Sequence, residues 1–153
     1  MTTIVYDRRT KTIAADTQNT DRTGGIYRTS KIEKLKDGRL FLGAGNCYTI
    51  CATRRWAEAK FDPKKRPEEY ACIFSDPDEY SFSCLIISPD GLTVTIVDDE
   101  MEPLITRDDY LAIGSGGPYA LGAMDKGATA LEAVEIACNR DGNTSAPIDV
   151  VQL

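Results

Sequence analysis

The sequence contains no histidine. A serine or cysteine nucleophile activated by an imidazole is therefore excluded, and so is any metal site with histidine ligands. If the chain is an enzyme, its general base has to come from Lys, Asp, Glu, Tyr or the α-amino group of the chain. The absence of this one residue type excludes the commonest hydrolase mechanisms.

Basic residues and long apolar runs are also scarce. The 18 Lys and Arg residues face 24 Asp and Glu residues, for a net charge of −6, which argues against a surface that binds nucleic acid. No apolar run approaches the length of a membrane span, and residues 84–87, for example, have the length of a strand. Residues 1–9 lack the apolar centre of a secretory signal peptide. We expect a cytoplasmic protein with neither a nucleic-acid nor a membrane partner.

The cysteines do not form the pattern of a disulfide framework or of a metal site. There are five, an odd number, and no two have the CxxC spacing, which favours reduced thiols. We expect no metal and no cofactor. With 153 residues, of which 42% are apolar and 27% charged, the chain has the composition of a globular protein. We predict one domain that spans residues 1–153.

Three pairs of β-prone segments predict β-hairpins. The pairs are residues 3–6 with 12–17, residues 31–36 with 39–45, and residues 81–87 with 92–97. The second and third pairs flank Asp37-Gly38 and Asp90-Gly91, dipeptides typical of tight hairpin turns. Residues 110–113 and 148–153 predict two further strands, whereas the stretch through Gly24-Gly25 is predicted to be a polar loop.

Capping residues predict the helices. Asn46 can cap a helix that runs to about residue 60, Pro118 suits the first turn of a helix to residue 126, and Thr129 with Glu132 forms a capping-box pattern before a helix to residue 138. The proline-rich stretch 61–80 predicts only a short helix at residues 68–74, and the acidic residues 98–102 predict a solvated turn.

This order of elements indicates the fold class. Hairpins imply antiparallel sheets, and each apolar helix face needs a sheet to cover. A doubly wound parallel fold would require strands that alternate with helices, and that alternation is missing. We therefore predict an α+β fold with two packed antiparallel sheets and helices outside them.

Six fragments, in order along nearly the whole chain, resemble the N-terminal-nucleophile hydrolases of the proteasome-like family, and most closely the bacterial HslV peptidases and proteasome β subunits. The fragments are Thr2-Thr3-Ile4-Val5 after Met1, Ala15-Asp16-Thr17-Gln18, Ser30-Lys31-Ile32, Ala44-Gly45-Asn46, the run IGSGGPYA from Ile113 to Ala120, and Arg140-Asp141 followed by Thr144-Ser145. The resemblance implies a four-layer αββα sandwich. It also implies a homo-oligomer of stacked rings, a polypeptide substrate and an ATP-dependent unfoldase as a partner.

The resemblance implies that Thr2 is the nucleophile of a threonine peptidase once Met1 is removed. The α-amino group of Thr2 would act as the base, since its reference pKa of roughly 8 leaves it partly neutral near neutral pH. Lys31 would favour the Thr2 alkoxide, Asp16 would orient Lys31, and the Gly45 N–H would stabilise the oxyanion. The resemblance assigns a supporting role beside Thr2 to Ser115, Asp141 and Thr144. It places four residues at the substrate: Thr20, Gly43, Cys47 and Cys51.

Structural interpretations compete with these roles. Asp16 can be a turn residue, Lys31 a solvated surface charge, Gly45 a strand-to-helix breaker, and Cys47 with Cys51 small core residues. Two further functional hypotheses remain: a catalytically silent structural or assembly subunit of the same family, and an amidase of small molecules with the same nucleophile.

Two features depart from the HslV pattern. The first hairpin is about two residues shorter, and the second outer helix is reduced to a short segment within residues 61–80. Because outer helices shape the contacts between neighbouring subunits in the family's rings, ring size and ring formation are not determined by the resemblance.

Overall fold

The computed structural model describes residues 2–153, so the predicted removal of Met1 lies outside the described residues. The chain divides into two compact units. The first contains the chain up to Ile32 together with Asp108–Leu153, and the second is Glu33–Arg107.

The strands in chain order are β1 (Ile4–Asp7), β2 (Thr12–Asp16), β3 (Gln18–Thr20), β4 (Ile26–Arg28), β5 (Ile32–Lys34), β6 (Leu40–Gly45), β7 (Phe82–Ile87), β8 (Val94–Asp98), β9 (Leu104–Thr106), β10 (Tyr110–Ile113) and β11 (Ile148–Gln152). The α-helices are α1 (Cys47–Glu58), α2 (Ala71–Ser75), α3 (Pro77–Tyr80), α4 (Gly117–Asp125) and α5 (Ala130–Arg140). Single 3₁₀ turns lie at Pro63–Lys65 and Glu68–Tyr70.

The first unit is a four-stranded antiparallel sheet, in the order β10-β1-β2-β11, on which α4 and α5 pack. Alanines and other small apolar side chains of α5 let the helix approach the sheet closely; Ala133, Val134 and Ala137 are fully buried. The predicted capping box is present, since the Thr129 side chain accepts from the Glu132 N–H and the Glu132 side chain accepts from the Thr129 N–H. The first hairpin and both helices are confirmed.

The predicted polar loop through Gly24-Gly25 is wrong in part, because its two ends pair as the hairpin β3–β4. Asp21 closes the turn by accepting hydrogen bonds from the N–H groups of Thr23 and Gly25. The strands have three residues each, and both Ile26 and Tyr27 are more than half exposed. Such short, exposed strands lack the alternation of apolar and polar residues on which a strand prediction rests.

The second unit is a five-stranded sheet, in the order β5-β6-β7-β8-β9, with α1 packed on β6 and β7. Asn46 caps α1 by accepting from the Tyr48 N–H, as predicted. The core beneath this helix joins its buried Trp56 to Phe41 of β6, Phe82 of β7 and Tyr70. The hairpins β5–β6 and β7–β8 are confirmed.

Two parts of the second unit differ from the prediction. Residues 61–80 contain two 3₁₀ turns and the short helices α2 and α3, which is more regular structure than one helix at 68–74. The three-residue edge strand β9 follows the acidic turn and was not predicted; Leu104 and Ile105 are exposed, so it carries no burial signal. Among residues 2–153, no helix is both long and apolar enough to cross a membrane.

Candidate active site

Thr2 and Thr3 lie just before β1 and are buried. The pairing of β1 with β2 continues beyond the strand, because the Asp16 N–H donates to the Thr3 carbonyl at 3.0 Å. The Thr3 N–H donates in turn to Asp16 Oδ1 at 2.7 Å. Two hydrogen bonds therefore hold the backbone immediately after Thr2 to the end of β2.

Asp16 and Lys31 form a buried ion pair. Lys31 Nζ lies 2.8 Å from Asp16 Oδ1, and the two side chains are 8% and 0% exposed. Burial lowers the pKa of Lys31 below its usual value, and this effect outweighs the opposite effect of the Asp16 carboxylate. The interpretation of Lys31 as a solvated surface charge is therefore wrong, and a turn role does not account for the four hydrogen bonds that Asp16 accepts.

The second oxygen of Asp16 has partners that the sequence did not predict. Asp16 Oδ2 accepts from the Gln18 N–H at 3.0 Å and from the Ser145 N–H at 3.4 Å. Both oxygens of the carboxylate thus accept two hydrogen bonds each, and one cation is among the four donors. This donor set satisfies a buried carboxylate and fixes its orientation.

Ser115, Asp141 and Thr144 form one hydrogen-bonded cluster. Asp141 Oδ2 accepts from the Ser115 hydroxyl at 2.5 Å and from the Thr144 hydroxyl at 2.9 Å. Burial would raise the pKa of Asp141, but the hydrogen bonds from Ser115, Asn143 and Thr144 together lower it. The structure therefore brings together three residues that the sequence assigned to one role.

The cluster reaches the N-terminal segment through Thr3, which the sequence analysis missed. Thr3 Oγ1 lies 2.8 Å from Thr144 Oγ1, and the Gly116 N–H donates to the Thr2 carbonyl at 3.4 Å. Thr3 therefore contacts Asp16 through its backbone and Thr144 through its side chain. The sequence did contain a signal for this role of Thr3, because the residue follows Thr2 directly and the predicted first hairpin places it opposite the end of β2.

Gly114 and Gly116 make this close approach possible. A Cβ atom on Gly114 would lie 2.0 Å from the Thr2 carbonyl oxygen, and one on Gly116 would lie 1.9 Å from Thr3 Oγ1. Gly114 also has a φ of +92°, which side-chain-bearing residues rarely adopt. The run of glycines around Ser115 is therefore a packing surface for Thr2 and Thr3, and not a flexible loop.

Gly127 provides a matched control for this contact, since its φ is +91° and nothing lies within 4 Å of an added Cβ. We expect Gly114→Ala to lower the free energy of unfolding by at least about 1 kcal/mol more than Gly127→Ala, whose cost is the backbone strain of about 1–2 kcal/mol alone. Urea denaturation of both variants measures the difference. Equal losses would contradict the proposed contact with Thr2.

Four of the predicted substrate and oxyanion residues belong to the second unit. Gly45 ends β6 with a φ of +112°, and a Cβ there would lie 2.4 Å from the Ser81 carbonyl oxygen. A Cβ on Gly43 would lie 2.6 Å from Ile50 of α1. Cys47 and Cys51 are exposed on α1, so the interpretation of them as core residues is wrong. The catalytic and substrate roles of these four residues stay predictions.

Thr20 is exposed at the end of β3, and its hydroxyl accepts a hydrogen bond from Gln18 Nε2 at 3.2 Å. Its predicted place at the substrate stays a prediction. Among the described residues 2–153, no group of three or more Cys, Asp or Glu side chains could hold a metal ion.

Two solved structures resemble this chain over almost their whole length, although no protein-family model and no curated protein matches the sequence. Eukaryotic HslV from Trypanosoma brucei has a TM-score of 0.69 and 21% identity, and covers 97% of both chains. BPH from Thiobacillus denitrificans, solved in complex with epoxomicin, has a TM-score of 0.64 and 19% identity, and covers 99% of this chain and 98% of its own.

These similarities show the fold. This chain has an α+β fold with packed antiparallel sheets and helices, as the sequence predicted, and HslV and BPH have the same fold. HslV, which the six sequence fragments also resemble, shares this fold over 97% of both chains.

Proposed function

We propose that this chain is a threonine peptidase in which Thr2 becomes the N-terminal residue and the nucleophile. The observation that carries the proposal is the hydrogen-bonded path from the buried Thr2–Thr3 segment to the Asp16–Lys31 ion pair. Because the sequence has no histidine, the base that activates a hydroxyl in this setting has to be another group.

The reaction begins when Thr2 Oγ1 attacks the carbonyl carbon of a peptide bond. The α-amine of Thr2 takes the hydroxyl proton, and the Gly45 N–H stabilises the oxyanion. The ammonium group passes the proton to the leaving amine as the C–N bond breaks, which leaves an ester on Thr2. Water then hydrolyses the ester with the same amine as base. The charge of Lys31 favours the alkoxide and the neutral amine at each step.

The fold also supports wider proposals. HslV and BPH share the fold from end to end. We infer that this chain assembles into stacked homo-oligomeric rings, cleaves unfolded polypeptides and receives them from an ATP-dependent unfoldase. The short helices α2 and α3 lie where the sequence departs from the HslV pattern, in the region that shapes contacts between ring subunits. Sedimentation velocity measures the size of the assembly and therefore tests whether a ring forms.

The decisive test of the nucleophile combines intact mass with covalent labelling. We choose epoxomicin as the probe because BPH was solved in complex with it. We expect an adduct on Thr2 of a chain that lacks Met1, no adduct on Thr2→Ala, and an unchanged adduct on Thr10→Ala, which removes an exposed hydroxyl in the β1–β2 turn.

Hydrolysis assays separate the other functions. Release of a fluorophore from short peptides, but not from a panel of small amides, supports a peptidase, and the opposite result supports a small-molecule amidase. Retained Met1 with no hydrolysis of either substrate supports a silent subunit. A chain that keeps Met1 and still cleaves peptides at full rate would overturn the mechanism.

A further inference from the structure

Four polar side chains of the first unit form a continuous line of hydrogen bonds. Arg28 lies on β4 directly opposite Gln18 on β3. The Arg28 guanidinium donates to Ser145 Oγ at 2.9 Å, and the Ser145 hydroxyl donates to Gln18 Oε1 at 2.5 Å. Gln18 Nε2 then donates to Thr20 Oγ1 at 3.2 Å. We call these four residues the hydroxyl relay.

The hydroxyl relay is fixed to the proposed catalytic carboxylate. The N–H groups of Gln18 and Ser145 both donate to Asp16 Oδ2, and Asp16 Oδ1 binds Lys31. The Gln18 side chain is buried at one end of β3, and the residue is only 4% exposed. The two central members of the relay therefore have little freedom to move relative to Asp16.

The direction of the hydrogen bonds determines what Thr20 can do. Each member of the relay donates to the next, so the Thr20 oxygen is an acceptor within the relay and its own O–H remains a donor. Thr20 is exposed, and within residues 2–153 nothing accepts this proton. A chain of hydrogen bonds with one direction also polarises its last donor.

The strand that carries Thr20 is suited to an extended ligand. In the part of the chain that the structure describes, the only strand that pairs with β3 is β4. An extended peptide can add to such an edge through its backbone, and carbonyl groups along it then face the strand. Thr20 is the last residue of β3, so its hydroxyl is a donor on the strand with which such a peptide would pair.

We propose that Ser145 is a positioning residue that acts through Gln18 to orient the Thr20 hydroxyl as a hydrogen-bond donor to a carbonyl group of the peptide substrate. The proposal rests on the proposed peptidase function. Thr20 is already predicted to lie at the substrate. What the proposal adds is the group of Thr20 that binds, its O–H, and a residue outside the catalytic set, Ser145, that sets the direction of this O–H before the substrate binds. Such an arrangement reduces the ordering cost of binding.

The first test is a split between KM and kcat in peptide hydrolysis. We expect Ser145→Ala to raise KM roughly threefold to tenfold, the effect of about one hydrogen bond, with kcat within about twofold of the parent. Ser145→Thr keeps the hydroxyl and is expected to restore KM. Ser75→Ala, which removes an exposed hydroxyl at the end of α2, is the matched control and is expected to leave both constants unchanged.

A double-mutant cycle distinguishes positioning from a general structural role. Thr20→Val removes the donor with little change in shape and is expected to raise KM to a similar extent. If Ser145 acts through Thr20, the double variant has the KM of either single variant; independent effects would multiply instead. Multiplied effects, an unchanged KM in Ser145→Ala, or a loss confined to kcat would each overturn the proposal.

Binding measurements keep this inference separate from the peptidase proposal. On a Thr2→Ala background, which cannot turn over, the affinity for the same peptide is expected to fall by the same factor when Ser145 is replaced by alanine. If the chain with Thr2 intact binds the peptide but does not hydrolyse it, the peptidase proposal alone is overturned. Equal affinities with and without the Ser145 hydroxyl overturn the positioning role alone.

Discussion

Replacing Lys31 with alanine is expected to reduce kcat for peptide hydrolysis by at least about 100-fold, the usual effect of removing a preorganised group that stabilises charge in the transition state. The ammonium group lies against Asp16, and the geometry leaves no other cation paired with this carboxylate among the described residues. Without it, neither the Thr2 alkoxide nor the neutral α-amine is favoured.

The Lys31→Ala chain is expected to stay folded. Asp16 keeps three backbone donors, from Thr3, Gln18 and Ser145, so its buried carboxylate is not left without partners. Lys31→Met fills the same space without the charge and is expected to be equally inactive. Lys34→Ala, on the exposed strand β5, is the control. Turnover at the parental rate in either Lys31 variant would refute the assigned role, and circular dichroism checks the fold.

Replacing Asp16 with asparagine is expected to lower the free energy of unfolding by about 3–5 kcal/mol, the usual cost of breaking a buried ion pair by removing one partner. In asparagine an NH₂ group replaces one of the two oxygens, so two of the four donors face another donor. Glu33→Gln breaks the exposed pair with Arg54, 3.5 Å apart, and is expected to cost less than about 1 kcal/mol. Similar losses in both variants would contradict the structural role of Asp16.

The same Asp16→Asn variant is expected to change the pH dependence of kcat. Activity needs a neutral α-amine and a charged Lys31, so it falls as pH rises through the pKa of Lys31, which already lies below its usual value because of burial. Asp16 opposes that shift, so its replacement lowers the pKa of Lys31 further. The alkaline limb of the profile of kcat against pH is expected to move to lower pH. If this limb does not move, the loss of activity at high pH is due to a group other than Lys31.

The free energy of unfolding follows the same linkage. Between the folded pKa of Lys31 and its higher unfolded value, the unfolded chain binds a proton that the folded chain has lost. Stability therefore rises with pH in that interval. In Asp16→Asn the interval extends to lower pH, because the folded pKa falls while the unfolded one does not. Urea denaturation at several pH values measures this slope.

Local signals predicted the elements that depend on local chemistry. The Asp37-Gly38 and Asp90-Gly91 turns, the Asn46 cap and the Thr129–Glu132 capping box are all short-range devices, and the structure confirms each element that they mark. The hairpin β3–β4 and the edge strand β9 were missed because their residues are polar or exposed, and pairing with a neighbouring strand outweighs weak propensity.

The candidate site shows the same division. Thr2, Asp16, Lys31 and Ser115 were assigned from fragments that resemble known enzymes, and the structure places the ion pair and the Ser115 cluster as separate contacts around Thr3. The roles of Gln18 and Ser145 could not be assigned in this way. Ser145 stood inside a recognised fragment, but nothing in its neighbours indicates a hydroxyl that bonds to Gln18.

The sequence by itself determined the turns, the helix caps and the family resemblance, because each of these depends on residues that are close together in the chain. It also determined the absence of an imidazole base, because the chain contains no histidine. Only the tertiary structure decided which donors meet at Asp16 and that Thr3 touches Thr144, 141 residues away. Such contacts depend on strand register and on two glycines without side chains, and those are properties of packed backbone, not of any short segment.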